Sequence, residues 1–477
     1  MAEKKAEREG EQFQVTRTHR LYRPRSKVVR LEKRTPGSPR AVGVTGVVLG
    51  FAALIAVGTA LLSLPAARAP GSEWDLVNTL FTAISAVCLT GLVVVDTGTY
   101  WAHFGQAVIL GLIQAGGLGV MTASMLLLII LRQRISFRDR FDVYEESRAA
   151  NIRSVGGLIF VTVLVTLLVE LLGAAAIWYR LAYSYADKQA LWRGLFHSIS
   201  AFNNAGFDTM GGYTSLTSFA RDPVLLMVVA FLFVSGGLGV LVLLDIIRKH
   251  SWRGLSPNSK MVLLASALLL ALGMAGILAL ESTNSKTLGS LSLADKLSNA
   301  FFHSAAPRTA GFNTLPIGDL RDETLFLTTI LMFIGGATGS TAGGVKVATL
   351  TVLILATLAS VRGYEHTSGF GRRFSHRLVY RALALVTLSM TVVVLGTFIL
   401  IITEDFPFRQ VLFEVVSAFG TVGLTTGITP DLSVAGKLTI GVLMFVGRLG
   451  PLTVAAALAQ GAREPRYQLP EGEVPLG

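Results

Sequence analysis

Four glycine turns recur along this sequence, and their residue types suit the removal of water from a monovalent cation. They read FTAISAVCLTGL, FHSISAFNNAGF, FHSAAPRTAGF and FEVVSAFGTVGL. Their key glycines are separated by 115, 105 and 112 residues, and they are Gly91, Gly206, Gly311 and Gly423. An aromatic residue precedes each of them by ten positions, at Phe81, Phe196, Phe301 and Phe413. Internal repetition of this kind is far harder to obtain by chance than one TVG triplet.

The chemistry of such a turn follows from how an ion loses its water. Several oxygens must replace the hydration shell, and backbone carbonyls supply them without a fixed charge that would trap the ion. Glycine is suitable because it adopts backbone angles that are costly for residues with a Cβ atom. Non-helical backbone at membrane depth is tolerated where it lines a water-filled path or is buried in protein. The turns therefore predict a cation filter, and the alternative is four ordinary extracellular turns.

The composition indicates that lipid is the main solvent of this chain. Of its 477 residues, 52% are hydrophobic and 15% are charged, and the mean hydropathy is +0.58. Soluble domains carry about 25% charged residues. The apolar residues are grouped into runs of roughly 20, the length that spans a bilayer. Cys88 is the only cysteine, which excludes disulfides within the chain and sites built on several thiolates. We expect it to pack as a small apolar residue.

Each turn is predicted to follow a helix too short to span and to lie between two spans. The predicted spans are 41–64, 107–131, 155–178, 223–247, 261–280, 324–359, 378–402 and 438–460, and the short helices are 76–89, 191–202, 293–306 and 408–419. The strongly basic loops follow the second span of a unit, so one topology places them and both termini in the cytoplasm. The fold class is an all-α polytopic membrane protein with eight transmembrane helices in four span–pore helix–span repeats around a pseudo-fourfold pore.

The eight predicted spans divide the chain into two tails and four repeats. We expect a basic cytoplasmic tail at 1–40, repeats at 41–131, 132–247, 248–362 and 363–462, and a cytoplasmic C-terminal tail at 463–477. The first 40 residues carry +7 of the net charge of +12. This excess could be a nucleic-acid patch, but lysine and arginine beside a first span more often hold that end inside. We therefore expect no nucleic-acid partner.

With these features the sequence resembles the Trk/Ktr/HKT superfamily of potassium uptake proteins. The predicted number of spans, eight, is similar to that of its KtrB branch. The resemblance covers about residues 41–462. It implies a single K+ filter as the only metal site, formed by Leu89, Thr90, Gly91, Asn204, Ala205, Gly206, Thr309, Ala310, Gly311, Thr421, Val422 and Gly423. The four strands read LTG, NAG, TAG and TVG, so the symmetry is only approximate.

The third repeat contains LMFIGGATGSTAGGVKVATL, in which glycines crowd a run longer than one span needs. Each glycine costs a helix roughly 1 kcal/mol relative to alanine, so two half-helices joined by a loop are predicted. A phosphate-binding loop fails because Val345 stands where lysine is required. A close-packing surface of small residues remains an alternative.

The resemblance implies that this loop is a gate below the filter, residues 335–346. Its gate residues would be Gly335, Gly336, Thr338, Gly339, Ser340, Thr341, Gly343, Gly344, Lys346 and, in the last span, Arg448. Lys346 faces either the inner vestibule or the cytoplasmic interface. Arg448 would anchor the loop through carbonyls and place a positive barrier in the path, because charge within a span is functional by default. The alternative for Arg448 is an interfacial position on a shorter helix.

Other polar residues carry weaker predictions. Glu170, Glu281 and Glu404 lie late in the first spans of repeats two to four, near the outer interface, and Glu170, the deepest, is a candidate to pair with a pore-helix residue. His197 and His303 share a repeat position, where packing or capping is favoured over a metal pair. The carboxylates after the turns either concentrate cations at the mouth or stabilise loops, and they are Asp96, Asp208 and Asp319.

The predicted function is potassium uptake across the bacterial inner membrane, with sodium dependence implied by the resemblance. The resemblance also implies a homodimer on a cytosolic ring of nucleotide-binding regulatory subunits, like KtrA or TrkA. No cofactor is expected on this chain; K+ would be transported, with Na+ as a second candidate. Two alternatives are a secondary transporter with alternating access and a less selective cation channel. A membrane enzyme would need clustered His, Asp or Glu, which the sequence does not offer.

Overall fold

The apolar runs and short helices predicted above form helices in the computed structural model, which describes residues 39–132 and 155–450. In these residues the α-helices, numbered α1 to α15 in chain order, are Pro39–Leu62, Leu76–Cys88, Thr97–Tyr100, His103–Arg132, Val155–Leu181, Asp187–Phe202, Pro223–Leu238, Val240–Lys249, Pro257–Glu281, Leu293–Ala305, Asp322–Phe333, Val347–Val361, His376–Thr403, Phe408–Gly420 and Val434–Leu449. Two short strands, β1 (Ser368–Gly369) and β2 (Arg372–Arg373), pair antiparallel. The predicted tails and the basic loop after α4 lie largely outside the described residues.

Local capping signals fix where several helices begin. Asp75 and Asp222 accept hydrogen bonds from backbone N–H groups in the first turns of α2 and α7. Ser256 and Ser433 do the same for α9 and α15. A side-chain acceptor satisfies one of the N–H groups that a helix start leaves without a partner. These caps fix the starts of one pore helix, α2, and of three helices of the predicted spans, α7, α9 and α15.

By length and composition, three helices of the described residues are apolar enough to cross a membrane. They are Ile159–Leu181, Pro257–Glu281 and His376–Thr403. A fourth is obtained if α7 and α8, which are bent by 98°, count as one span. The count of eight spans therefore stays a prediction.

The bend between α7 and α8 corrects the prediction of one uninterrupted helix over 223–247. Gly239 has a φ of 80°, and its N–H reaches back to the carbonyl oxygens of Ser235 and Gly236. A Cβ atom on Gly239 would lie 3.2 Å from the Cα atom of Ser340. The chain turns here because only glycine combines this φ with so close an approach of a second backbone.

The third repeat breaks as predicted. Helix α11 ends at Phe333 and α12 begins at Val347, and the intervening residues are not helical. Gly335 donates its N–H to the carbonyl of Val345 at 2.8 Å, so the two ends of the break are tied together. Together with the bend at Gly239, this break means that glycine interrupts a helix in the second repeat as well as in the third.

Contacts between helices run in a cycle. We call α2, α6, α10 and α14 the pore helices. Each second helix packs against the pore helix of the following repeat: α4 on α6, α7 on α10, α11 on α14 and α15 on α2. The last contact joins the end of the described chain to its beginning, so the four turns are brought to one centre.

Candidate functional site

The four key glycines form a closed ring, which we call the filter ring. A Cβ atom built on each would lie 2.5, 3.0, 2.6 and 2.2 Å from a carbonyl oxygen of the next turn, for Gly91, Gly206, Gly311 and Gly423. Those oxygens belong in the same order to Ala205, Ala310, Val422 and Thr90. The fourth glycine therefore meets the first turn, and there is no room for a side chain at any of the four positions.

Each turn contains two residues with positive φ, and the sequence had indicated only the glycine. The filter-ring glycines have φ angles of 88°, 72°, 76° and 96°. Two residues before each of them stands a non-glycine residue that also has positive φ: Leu89, Asn204, Thr309 and Thr421. Such residues cost of order 1–3 kcal/mol each and persist only when the surroundings fix them. This shared strain distinguishes the turns from ordinary connections between helices.

Hydrogen bonds at the ends of three pore helices fix this conformation. The N–H groups of Thr90, Ala205 and Val422 donate to carbonyls five residues earlier at 2.9, 2.8 and 2.8 Å. Each acceptor is a serine, and two of these serines also bind a filter-ring N–H through their hydroxyls: Ser85 to Gly91 at 3.1 Å and Ser417 to Gly423 at 3.2 Å. The recurrent serine is a signal that sequence reasoning missed.

The third turn is one residue shorter, which corrects the aromatic position assigned to it. There the N–H of Ala310 donates to Ala306, only four residues earlier. The fully buried aromatic residue is Phe302, whereas Phe301 is partly exposed. The aromatic residue ten positions before Gly311 is thus Phe301, but the buried one is Phe302, nine positions before it.

A second recurrent signal, also missed, holds the second helices against the pore helices. The segments GGLG, GGLG and GRLG begin at Gly116, Gly236 and Gly447. A Cβ atom on these glycines would lie 2.2, 1.8 and 1.9 Å from pore-helix carbonyl oxygens. Arg448 stands where the first two repeats have their second glycine, so its position is special on sequence grounds alone.

Thr341 of the predicted gate loop, residues 335–346, joins three parts of the site. Its hydroxyl donates to Asn204 Oδ1 of the second turn at 2.8 Å. Its backbone N–H donates to Gly236 at 3.4 Å, and its carbonyl accepts from Arg448 Nη1. Thr341 is fully buried. The loop is therefore connected at one residue to a filter strand and to the last helix.

Arg448 is 5% exposed and donates to Thr341 alone among the described residues. Its Nε and Nη2 atoms are buried without a hydrogen-bond partner there. The side chain is thus buried within the protein, and its depth in the membrane stays a prediction. A buried guanidinium held by one carbonyl is costly unless its site has a use for the charge.

Most of the remaining predicted gate residues contact the fourth turn or other residues of the loop, and Thr338 does neither. Gly343 reaches the fourth turn, since a Cβ atom on it would lie 2.1 Å from Thr421 Oγ1, and Gly336 accepts from Val347 within the break. Ser340 donates to Ala337 inside the loop at 2.7 Å. Thr338 is exposed and does not join the site. Positive φ angles are found at Gly339 and Gly344.

Lys346 is held by the gate loop itself, and whether it faces the inner vestibule or the cytoplasmic interface stays a prediction. Its ammonium group folds back and donates to the loop carbonyls of Ala342 and Gly343, the latter at 3.4 Å. Lys346 also immediately precedes α12. It therefore closes the gate loop on itself, and a role in permeation stays a prediction.

The two histidines have structural partners. Backbone N–H groups of Thr314 and Leu315 donate to His303 Nε2 at 3.2 and 3.1 Å. His197 Nδ1 lies 2.7 Å from the carbonyl of Arg193. In residues 39–132 and 155–450 no group of three or more His, Cys, Asp or Glu could hold a metal ion. His303 therefore holds the loop after the third turn, as a packing role predicts.

Replacing His303 with leucine is expected to lower the free energy of unfolding by about 1–3 kcal/mol, because two buried N–H groups lose their acceptor. Thermal unfolding of the purified protein in detergent measures this loss. His303→Gln offers a carbonyl oxygen and should recover part of it. A structural metal at this position would instead make the wild-type protein sensitive to chelators.

Asp208 is the carboxylate at the outer side of the turns with the most perturbed acidity. Burial raises the pKa of Asp208 to about 6; the N–H of Met210 lowers it and the nearby Asp96 carboxylate raises it. Asp96 also accepts from Thr99 and Tyr213, so it stabilises its loop. Asp208 is thus ionised above about pH 6 and loses its charge as the pH falls below that value.

This titration predicts that the rubidium concentration for half-maximal uptake rises as external pH falls through about 6, because the mouth then attracts cations less. Uptake curves at several external pH values measure it. Asp208→Asn should be insensitive over that range. Asp319→Asn is the control, since Asp319 is exposed and paired with Lys286 at 3.4 Å. An unchanged pH response in Asp208→Asn would contradict the assignment.

Two buried charged residues were missed by sequence reasoning. Glu414 on α14 is fully buried; its Oε1 accepts from Thr429, and its Oε2 has no partner among the described residues. Arg308 in the third turn donates to Ser266 Oγ at 3.0 Å. Both stand inside the repeat motifs, and their positions relative to the filter-ring glycines were the available signal.

Comparisons with known proteins agree with this arrangement. The chain matches the family described as TrkH, cation transport protein, over residues 44–464. It is similar to the Ktr system potassium uptake protein B of Bacillus subtilis, with 41% identity over 453 residues that cover 95% of this chain and 99% of the relative. It is also similar to the potassium/sodium uptake protein NtpJ of Enterococcus hirae, with 38% identity, covering 90% and 96%.

A solved structure shows the same fold. The crystal structure of the potassium transporter TrkH from Vibrio parahaemolyticus matches with a TM-score of 0.72 and 20% identity. The match covers 90% of this chain and 86% of that one. At this identity the likeness concerns the course of the backbone.

Proposed function

Because the chain belongs to the TrkH family of cation transport proteins, we propose that it takes up potassium through a pore lined by its four glycine turns. The chain is an integral membrane protein, and the family transports cations rather than catalysing a covalent reaction. Relatives of the Ktr type share its length and are named for potassium uptake. Potassium is therefore the proposed substrate.

The filter ring is the observation that carries this proposal. Its glycines approach the carbonyl oxygens of neighbouring turns in cyclic order, so no side chain fits between the strands. Carbonyl oxygens around one axis replace the water of a monovalent ion. The carbonyls of Thr90, Ala205, Ala310 and Val422 would bind K+, and the C-terminal ends of the pore helices add partial negative charge.

The gate loop is proposed to close the path below the filter. Thr341 holds it to Asn204 on one side and to Arg448 on the other. Opening would require these bonds to break and the loop to leave the axis. The positive charge of Arg448 would oppose cations while the loop is closed.

The remaining parts of the proposal concern the surroundings of the pore. We propose eight spans in four repeats, with both termini in the cytoplasm and the protein in the bacterial inner membrane. A homodimer on a cytosolic nucleotide-binding ring is consistent with relatives named as one component of a Ktr system. One relative is named a potassium/sodium uptake protein, which supports sodium dependence as part of the proposal.

The test is ion flux into liposomes that contain the purified full-length protein. Rubidium, which stands in for potassium, should enter much faster than sodium. Equal uptake of both ions would leave a pore and remove the selectivity. If neither ion enters, the cytosolic partner ring is added, and continued absence of flux would contradict the proposal.

A secondary ion-coupled transporter is the second candidate, and the bend at Gly239 favours it. The second helix of the third repeat is also interrupted, between Phe333 and Val347. Broken helices in corresponding repeats are typical of alternating access. Rubidium accumulation against its own gradient, driven by an inward sodium gradient, would identify coupling; simple equilibration would identify a channel.

A further inference from the structure

Glu170 is a buried acid without a cation. It lies on α5 and is 2% exposed. Asn203 Nδ2 donates to its Oε1 at 2.7 Å, and Gln114 Nε2 donates to its Oε2 at 3.1 Å. No ion pair involves Glu170 in the part of the chain that the structure describes. A carboxylate at membrane depth without a countercharge is expensive to keep.

Another acid on a first span, Glu281 at the end of α9, shows what a purely structural carboxylate looks like in this fold. Glu281 accepts from the hydroxyls of Thr287 and Thr324 and from the N–H of Arg321. Asn284 donates to it as well. Four donors stabilise the charged form. Glu170 has two, both of them side-chain amides.

The amide of Asn203 is only partly satisfied in this cluster. Its Nδ2 lies 2.7, 3.0 and 3.0 Å from Glu170 Oε1, Gln114 Oε1 and the Ile199 carbonyl. Its Oδ1 is buried and has no donor among the described residues. A buried acceptor without a donor is a cost that native structures avoid. The cluster therefore lacks one proton donor.

Gly117 lies directly against this unpaired oxygen. A Cβ atom on Gly117 would lie 1.9 Å from Asn203 Oδ1. The absence of a Cβ atom is what allows the Asn203 amide to lie there, and a half-turn about its side-chain bond would place Nδ2 where Oδ1 now lies. Exchange of Oδ1 and Nδ2 by such a turn would bring an acceptor toward Glu170.

Charged groups on the neighbouring helices are engaged elsewhere. Arg193 of α6 stacks on Tyr185, and the ring of His197 lies against Phe312. Asp245 of α8 pairs with Lys249. Helix α7 carries no charged side chain, and α4 carries none from Phe104 to Leu131. The other charged residues of α6 and α8 are Asp187, Lys188 and Arg248.

We propose that Glu170, Gln114 and Asn203 form a proton-binding site that adjusts the second filter strand. A proton from water adds to a Glu170 oxygen, and the neutral carboxyl donates to Asn203 Oδ1 after the amide has turned. A metal ion does not suit this site, because Asn203 Nδ2 occupies the space between the oxygens. The site takes up one proton, and no covalent bond other than the new O–H forms.

The link to the filter is covalent and short. Asn203 ends pore helix α6 and directly precedes Asn204, which has positive φ and holds Thr341 of the gate loop. Turning the amide changes the hydrogen bonds of the residue that positions Asn204. Protonation also removes a negative charge beside a cation path, so uptake is expected to fall when Glu170 is neutral.

This inference rests on the proposed function for its flux readout, and an infrared readout tests it separately. Infrared spectra of the reconstituted protein are recorded from alkaline to mildly acidic pH. A carbonyl stretch of a neutral carboxyl should grow as the pH falls and should be absent from Glu170→Gln. If no such band depends on Glu170 at any pH, the site does not bind a proton and the proposal is overturned.

Rubidium uptake is measured over the same pH series at saturating rubidium, where cation attraction by Asp208 no longer limits the rate. Wild-type uptake should fall several-fold with acidification, and Glu170→Gln should show low uptake that does not depend on pH. Glu281→Gln is the control for a buried acid with four donors, and it should keep the wild-type profile. The same pH profile in Glu170→Gln as in wild type would overturn the link to the filter while leaving the proposed function intact.

A second variant covers the case in which Glu170→Gln does not fold. Gln114→Met removes one donor to the carboxylate and keeps the side-chain volume. Loss of that donor disfavours the charged form, so the midpoint of the uptake profile should move to higher pH. A purely structural cluster would lower stability without moving the midpoint, and that result would overturn the proposal.

Discussion

Replacing Gly423 with serine is expected to reduce rubidium uptake and to lower the preference for rubidium over sodium. Its φ is 96°, and a Cβ atom there would lie 2.2 Å from Thr90 O, 3.1 Å from the Cα of Gly311 and 3.2 Å from that of Gly91. These are backbone atoms of two other turns, so neither neighbour can give way without opening the ring. Strain of roughly 1–3 kcal/mol per residue forced into such a conformation corresponds to a factor of about 5 to 150 in an equilibrium.

The measurement is parallel uptake of rubidium and sodium into liposomes, with the ratio of the two rates as the readout. Gly427→Ser is the matched control. Gly427 also has a positive φ, of 102°, but nothing lies within 4 Å of a Cβ atom on it. It therefore reproduces the backbone strain without the clash. If both variants lose selectivity to the same extent, strain in the loop is responsible and the ring is not the filter.

Replacing Arg448 with glutamine is expected to raise uptake by roughly tenfold or more, because the gate loop loses its anchor. Arg448 Nη1 donates to the Thr341 carbonyl. A hydrogen bond to a charged group is worth about 1.5–3 kcal/mol, and each 1.4 kcal/mol, approximately, is tenfold in the closed-to-open ratio. The substitution also removes the positive charge from the proposed path. Initial rates of rubidium uptake without the cytosolic partner measure the change.

Arg308→Gln is the control for a buried arginine. Arg308 donates to Ser266 of α9 rather than to the gate loop. Its replacement should not open the gate, even where it lowers thermal stability. Uptake by Arg448→Gln that stays at the wild-type level would contradict the role of Arg448 as an anchor.

Recurrent sequence features predicted the parts of the site that depend on local backbone. Gly91, Gly206, Gly311 and Gly423 were found from spacing, and the structure brings them into one ring. The break between α11 and α12 was found from the density of glycine. Both features follow from a property of glycine that holds in any context: it tolerates positive φ and leaves room for another backbone.

Pairings between distant segments were beyond the reach of local patterns. The sequence marks Arg448 as unusual, but its partner Thr341 lies 107 residues away. Glu170 was expected to pair with a pore-helix residue, and Asn203 confirms this; Gln114, from the first repeat, was not expected. Hydrogen bonds of this kind depend on which helices become neighbours, and periodicity along one helix does not determine that.

The bend at Gly239 likewise depends on a contact with a distant segment and not on the local sequence. The pentapeptide GGLGV occurs in both α4 and the α7–α8 segment, yet α4 continues through Gly119 as a helix. The difference lies outside the local sequence, since the backbone of Ser340 packs against Gly239. The third turn gives a similar case. It is one residue shorter than the others, and the structure buries Phe302 rather than Phe301.

By itself, the sequence determined that this chain is a helical membrane protein with four repeated turns, because composition and glycine spacing act through local propensity and solvent preference. Tertiary structure decided which turn meets which and what holds the gate loop. It also left Glu170 without a countercharge. These outcomes depend on distances between residues far apart in the chain, and such distances are fixed only when the four repeats pack in a cycle around one centre.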